Sequence, residues 1–158
     1  MVKLMKLAVI RIRGQVDVPP DVKKTLELLR LHKKFHLVLV DDNPSMMGML
    51  KKAENWITWG EIDEETLTLL LERRGRLRGN KKLTEEYVKK LGFKSIEDLA
   101  KAIITSKVDI RKIPGLKPVF RLSPPSGGFK GSIKVHYKRG GELGYRGKAI
   151  NDLIRRMA

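Results

Sequence analysis

Three constellations in this 158-residue chain could do chemistry. Asp41 and Asp42 close a short apolar run, the place from which paired carboxylates can hold a magnesium ion or accept a phosphoryl group. The same pair precedes Asn43 and Pro44, and Asp42 or Asn43 can cap a helix with Pro44 in its first turn. Capping is worth about 1 kcal/mol and needs no reaction, so it is the simpler account. His32 and His36 have the spacing at which two imidazoles on one helix share a metal, but they straddle a helix-to-strand turn with no neighbouring carboxylate. No metal site is expected there. His136 stands alone in a basic stretch and is expected at the surface or against nucleic acid. The glycine pairs Gly127-Gly128 and Gly140-Gly141 fit no nucleotide-binding motif, since neither lies between a strand and a helix at the required spacing. They offer backbone freedom and close approach to a partner. With no cysteine there is no thiolate nucleophile, disulfide or cysteine-zinc site. These residues alone make no case for catalysis, a cofactor or a small-molecule substrate. A hydrolase using Asp41, Asp42 and a histidine is the remaining catalytic alternative.

What remains is charge. The formal net charge is +16, and the segment Arg111 to Ala158 holds 12 Lys and Arg against two carboxylates, Glu142 and Asp152. The same segment carries eight of the 14 glycines and interleaves Phe129, Tyr137 and Tyr145 with the cations. Such a segment suits nucleic acid, where phosphates neutralise Lys and Arg and released counterions favour binding. The plainer alternative is a solvated tail that keeps the protein soluble. The stretch Phe120 to Gly131 is expected to be too poor in apolar residues to fold on its own. A membrane is the weaker partner, because no apolar run approaches the roughly 18 to 20 residues a span requires. Residues Leu7 to Ile12 include Arg11, which does not suit a secretory leader, and the expected location is the cytoplasm.

These residues need a scaffold, and 41% apolar composition suffices for one core with an appendage. Leu7 to Arg13 predicts a strand with Ala8, Ile10 and Ile12 on a core face and Arg11 and Arg13 on a wet one. Val22, Leu26 and Leu29 predict a helix begun at Pro19-Pro20 and ending near His32. Phe35 to Val40 predicts a second strand, Met46, Met49, Leu50 and Ala53 a second helix, and Trp56 to Trp59 a third strand with the two indoles on opposite faces. Beyond it, Asp63 caps a helix carrying Leu67, Leu70 and Leu71, which ends in a basic loop, Arg73 to Lys82. Thr84 and Ser95 open two further helices, Gly92 stopping the first, and Ile150 to Met157 has helical spacing. The fold class is α+β, with a compact unit over 1–62 and a helical, basic extension over 63–158.

Ile10-Arg11-Ile12-Arg13-Gly14, the helix Thr25 to Leu31 and the turn into Asn43 to Leu50 resemble the ribosomal protein L-thirty family of the large subunit, in its long archaeal and eukaryotic form. The segment Phe120 to Lys130, the run Gly140-Gly141 to Gly144-Tyr145-Arg146, and Ile150 to Met157 resemble that family's C-terminal extension. The resemblance implies a ferredoxin-like β-α-β-α-β unit, a three-stranded sheet in the order three, one, two with two helices on one face. It implies a structural constituent of the large ribosomal subunit that binds ribosomal RNA near the 5S RNA, beside neighbouring ribosomal proteins. By position, Arg11, Arg13, Lys51 and Lys52 belong to the shared core. Arg73, Arg74, Arg76, Arg78, Lys81 and Lys82 belong to the long form's loop. In its tail, Arg121, Phe129, Lys130, Lys134, Tyr137, Lys138, Arg139, Arg146, Lys148, Arg155 and Arg156 are the expected RNA contacts. About six residues precede the first strand, where eukaryotic members carry a long basic extension, which favours an archaeal source. The rival reading is a non-ribosomal basic module of the chromatin or RNA-chaperone type.

Overall fold

The computed structural model describes residues 6–158. Strands β1 (Lys6–Arg11), β2 (His36–Asp41) and β3 (Ile57–Glu61) pair antiparallel with β1 at the centre, as the three-one-two order requires. Helices α1 (Pro20–Leu28) and α2 (Pro44–Lys52) cover one face. Asn43 caps α2 by accepting from Met46 N at 2.8 Å, so neither aspartate is the cap. Asp41 is instead the ion-pair partner of Lys6 across the β1–β2 register. Helix α1 stops at Leu28, earlier than expected, because Arg30 turns left-handed (φ 63°) and Leu31 N folds back to Leu26 O at 2.9 Å.

The sheet is larger than the sequence suggested, and neither face is wet. Leu7 and Val9 pack under α1 and α2 with Val22, Leu26, Leu50 and Trp59. Ala8, Ile10 and Ile12 pack on the other face against α3 (Glu64–Arg74), α5 (Ile96–Ile104) and α6 (Ile150–Met157), through Leu67, Leu71, Leu99, Ile103, Ile150 and Ile154. A strand buried on both sides carries apolar residues at every position, which is why Leu7 to Ile12 reads so hydrophobic. Trp56 and Trp59 both join the α1–α2 layer, since Trp56 lies in the turn before β3 and escapes strand alternation.

The extension supplies both outer strands. Strand β6 (Val119–Arg121) pairs antiparallel with β2, setting Phe120 opposite Leu37, and β7 (Gly144–Tyr145) pairs parallel with β3. Phe120 to Gly131, too poor in apolar residues to fold on its own, is ordered on a borrowed surface: Phe120 has no exposed area and Leu122 is buried beside it. Burial of one such side chain is worth about 1.5–3 kcal/mol, enough to seat a three-residue strand on an existing sheet. Strands β4 (Arg76–Leu77) and β5 (Lys81–Lys82) make a hairpin where a loop was expected, and α4 (Glu85–Lys90) follows, capped by Thr84. Among the described residues, no helix is long and apolar enough to cross a membrane.

Candidate nucleic-acid interface

A polar network of five residues fixes the tail to the sheet. Arg146 is buried; its Nε donates to Thr58 Oγ1 at 2.8 Å and its Nη2 to Glu142 Oε2 at 2.7 Å and Glu142 O at 2.6 Å. Glu142 Oε1 accepts from Gly131 N at 3.0 Å, so the carboxylate ties the glycine-rich loop to the strand. Thr58 Oγ1 in turn donates to Gly144 O at 2.8 Å. Glycine is required at 144, where φ is +83° and a Cβ would overlap the His136 imidazole. His136 is held in this packing, its Nε2 lying 3.4 Å from Glu54 Oε2. On β7, the exposed Tyr145 donates to Glu61 Oε1 at 2.5 Å, and that bond pushes the phenol up to about 12.

Two of the expected contacts are therefore not surface cations. Arg146 is one. Arg11, expected on a wet face, is 4% exposed and donates to three carbonyls, Arg13 O at 2.9 Å, Leu31 O at 2.7 Å and Gly14 O at 3.1 Å. Burial lowers its pKa. Its role is to close the loop between β1 and α1. Arg13 is half-buried, with its guanidinium 5.1 Å from the Trp56 ring centroid. Phe129 packs on Phe35 with ring centroids 6.2 Å apart and is not free to stack on a base.

Most of the remaining cations are exposed on the hairpin, at Arg121 and on the tail loop. The hairpin presents Arg78, Lys81 and Lys82 to solvent beside Arg73, and is braced by Arg78 N to Gly115 O at 2.9 Å and Lys117 N to Arg76 O at 2.9 Å. Arg74 reaches from the end of α3 to Ser123 Oγ at 2.6 Å and Arg121 O at 3.3 Å, which joins the root of the hairpin to β6. Arg121 is exposed opposite His36. The tail loop exposes Lys130, Lys134, Lys138 and Arg139, with Tyr137 39% exposed, and Lys148 follows. Arg156 holds that loop by donating to Gly128 O and, at 3.4 Å, to Ser126 O.

The sequence reading missed Lys33 and Lys34. They turn from α1 into β2 beside Phe35 and Phe129, so the charge of the first 62 residues continues into the tail loop. Only the adjacency of a Lys-Lys pair to the strand start signalled it. The local field is visible at His36, whose pKa is lowered first by burial and then by Arg121, His32, Lys33 and Arg11. Lys51 and Lys52 lie apart on α2, Lys52 within 3.9 Å of Asp21 Oδ2. Arg155 points toward α3, 3.8 Å from Glu65 Oε2. That side is acidic: Asp63, Glu64, Glu65, Glu72 and Glu97 line one groove between α3 and α5. Charge is thus segregated, with the cations of the hairpin, Arg121 and the tail loop apart from an acidic helical face.

The family model for ribosomal protein L30p/L7e matches residues 7–57, the span from β1 to the start of β3. The chain is 59% identical to large ribosomal subunit protein uL30 of Thermofilum pendens over 150 residues, covering 94% of this chain and 96% of that one. It is 58% identical to uL30 of Staphylothermus marinus over 95% of its length, and 53% identical to uL30 of Archaeoglobus fulgidus, of which 98% is covered. The chain belongs to the L30p/L7e family. Because the archaeal uL30 relatives align over nearly the whole length, the family likeness takes in the extension, including the strands that close the sheet, as well as the 7–57 unit.

Proposed function

We propose that this chain is a non-enzymatic structural constituent of the large ribosomal subunit that binds ribosomal RNA through its exposed cations. The observation that carries this is its likeness, over nearly the full length, to proteins named as large-subunit components, together with the exposed Lys and Arg of the hairpin, Arg121 and the tail loop. Residues up to Ile62 form the docking unit through Arg13, Lys33 and Lys34, with Lys51 and Lys52 on a separate contact. Residues 63–158 supply the larger share, through Arg73, Arg76, Arg78, Lys81, Lys82, Arg121, Lys130, Lys134, Lys138, Arg139 and Lys148. Phosphate contacts supply affinity and the shape of the folded RNA supplies register. The acidic α3–α5 face turns from RNA toward a neighbouring protein. Resemblance to the long form of the family supports a place near the 5S RNA, in cytoplasmic ribosomes.

Sedimentation of native extract through sucrose at low and high salt, following the protein by mass spectrometry, tests this. Stoichiometric migration with the large subunit that persists into high salt is the expected result. Migration at the top of both gradients overturns the reading in favour of a free nucleic-acid-binding module.

A further inference from the structure

Between the tail loop and α6 lies a basin of about 550 Å³, within the range of roughly 300 to 1,000 Å³ typical of small-molecule sites. Its floor is the Arg146 guanidinium stacked on the Tyr137 ring, 4.9 Å from the centroid. Three hydrogen bonds from Arg146 use Nε and Nη2, and Nη1 has no partner among the described residues although the residue is only 8% exposed. Nη1 is not one of the protein's buried unpaired atoms, so its two N–H groups open to water in the basin and are free to be given to a ligand. Lys130, Lys138 and Arg156 line the basin with two carboxylates, Asp152 and the Glu142 already paired with Arg146.

We infer that this basin holds one unpaired nucleotide of the bound RNA, its base extending the Tyr137–Arg146 stack and its phosphate between Lys130 and Lys138. An aromatic ring backed by a guanidinium is a platform for any base, since every base has a π face. Arg146 Nη1 donates to a carbonyl or ring nitrogen at the base edge, and Asp152 accepts from an exocyclic amine. Helical RNA cannot enter, because its bases are stacked and its grooves expose only edges. The basin therefore selects a bulge or loop. The inference rests on the ribosomal-RNA reading and adds a site of single-nucleotide size to it. Glycine permits the shape: a Cβ at Gly141 would overlap the carbonyl of Val135 and spread the loop.

The test irradiates native large subunits with ultraviolet light and maps nucleotide adducts on peptides, alongside binding of the full chain and its Tyr137→Ala and Tyr137→Phe variants to deproteinised large-subunit RNA. The expected result is an adduct within residues 130–139, binding weakened about five- to a hundredfold by Tyr137→Ala, and near wild-type binding by Tyr137→Phe. Adducts elsewhere but none at 130–139, with Tyr137→Ala binding as the wild type does, overturns the basin and leaves the ribosomal reading standing. Failure of the wild-type chain to bind this RNA at all overturns both. The adduct is read on the unaltered chain, so a folding defect in Tyr137→Ala does not blunt the test.

Discussion

Arg146 and Glu142 form a buried ion pair, with Nη2 and Oε2 2.7 Å apart and side chains 5% and 6% exposed. One turn of chain separates them, yet each is also held by a distant group: Arg146 by Thr58, Glu142 by Gly131. The pair thus joins the loop, the outer strand β7 and the central sheet in one unit. Removing a single partner strands a charge away from water, at a cost of about 3–5 kcal/mol. Glu142→Ala is expected to destabilise the chain by that amount in urea unfolding. The double variant Glu142→Ala/Arg146→Met is expected to cost clearly less than the sum of the two single changes, and strict additivity would count against the coupling.

Gly144→Ala addresses the same junction through the backbone. At φ +83° an alanine is strained, and its methyl meets the His136 ring. A loss of about 2 kcal/mol or more is expected. The accompanying change is faster amide exchange over β7 and residues 136–142. Unchanged protection there would separate this glycine from the seating of the tail.

Neutralising the hairpin is expected to act on binding without acting on the fold. Arg73, Arg78, Lys81 and Lys82 are exposed and make no ion pair among the described residues, so their joint replacement by Gln leaves the melting curve in place. RNA affinity should fall at every salt concentration tested. The slope of log affinity against log salt should also flatten, by about one for each phosphate no longer neutralised. Arg74→Gln should differ, because this side chain ties α3 to Ser123 and belongs to the scaffold.

His36 is partly buried beside the cations of Arg121 and Lys33, and burial first and those charges second lower its pKa. Its lowered pKa means that the folded chain holds the imidazole neutral where the unfolded chain protonates it. Stability linked to it is intact above the ordinary histidine value near 6.5 and drains as pH falls from there toward the folded value. Thermal unfolding between pH 7 and 5 should show this drift, and His36→Gln should reduce it. On RNA binding, phosphate beside Arg121 and Lys33 relieves the repulsion, and the His36 ring resonances should then titrate at higher pH than in the free chain.

The central unit was readable because local signals there agree with the packing. Asn43-Pro44 opens a helix and the runs 7–12 and 36–40 are strands, and in the extension Asp63, Thr84 and Ser95 open helices in the same local way. Charge was misjudged where chemistry and position part. Arg11 carries the charge of a phosphate ligand but occupies a strand covered on both faces, and its carbonyl partners, Arg13 and Gly14 close by and Leu31 beyond α1, account for it. Phe120 and Leu122 looked too few to make a core because the surface they join is provided by Leu37 and residues of α3 and α6, remote in sequence. Long-range pairing of this kind has no local periodicity. The Arg146–Glu142 pair, four apart in a glycine-rich tail, looks in sequence like solvated surface.

The order of manufacture gives the borrowed strands a further meaning. Until residues 119–145 emerge, the His36–Val38 and Thr58–Trp59 edges of the sheet lie open, each a template for stray pairing with another chain. A nascent chain cut short in this interval is an aggregation hazard, and the finished one carries its own edge guards.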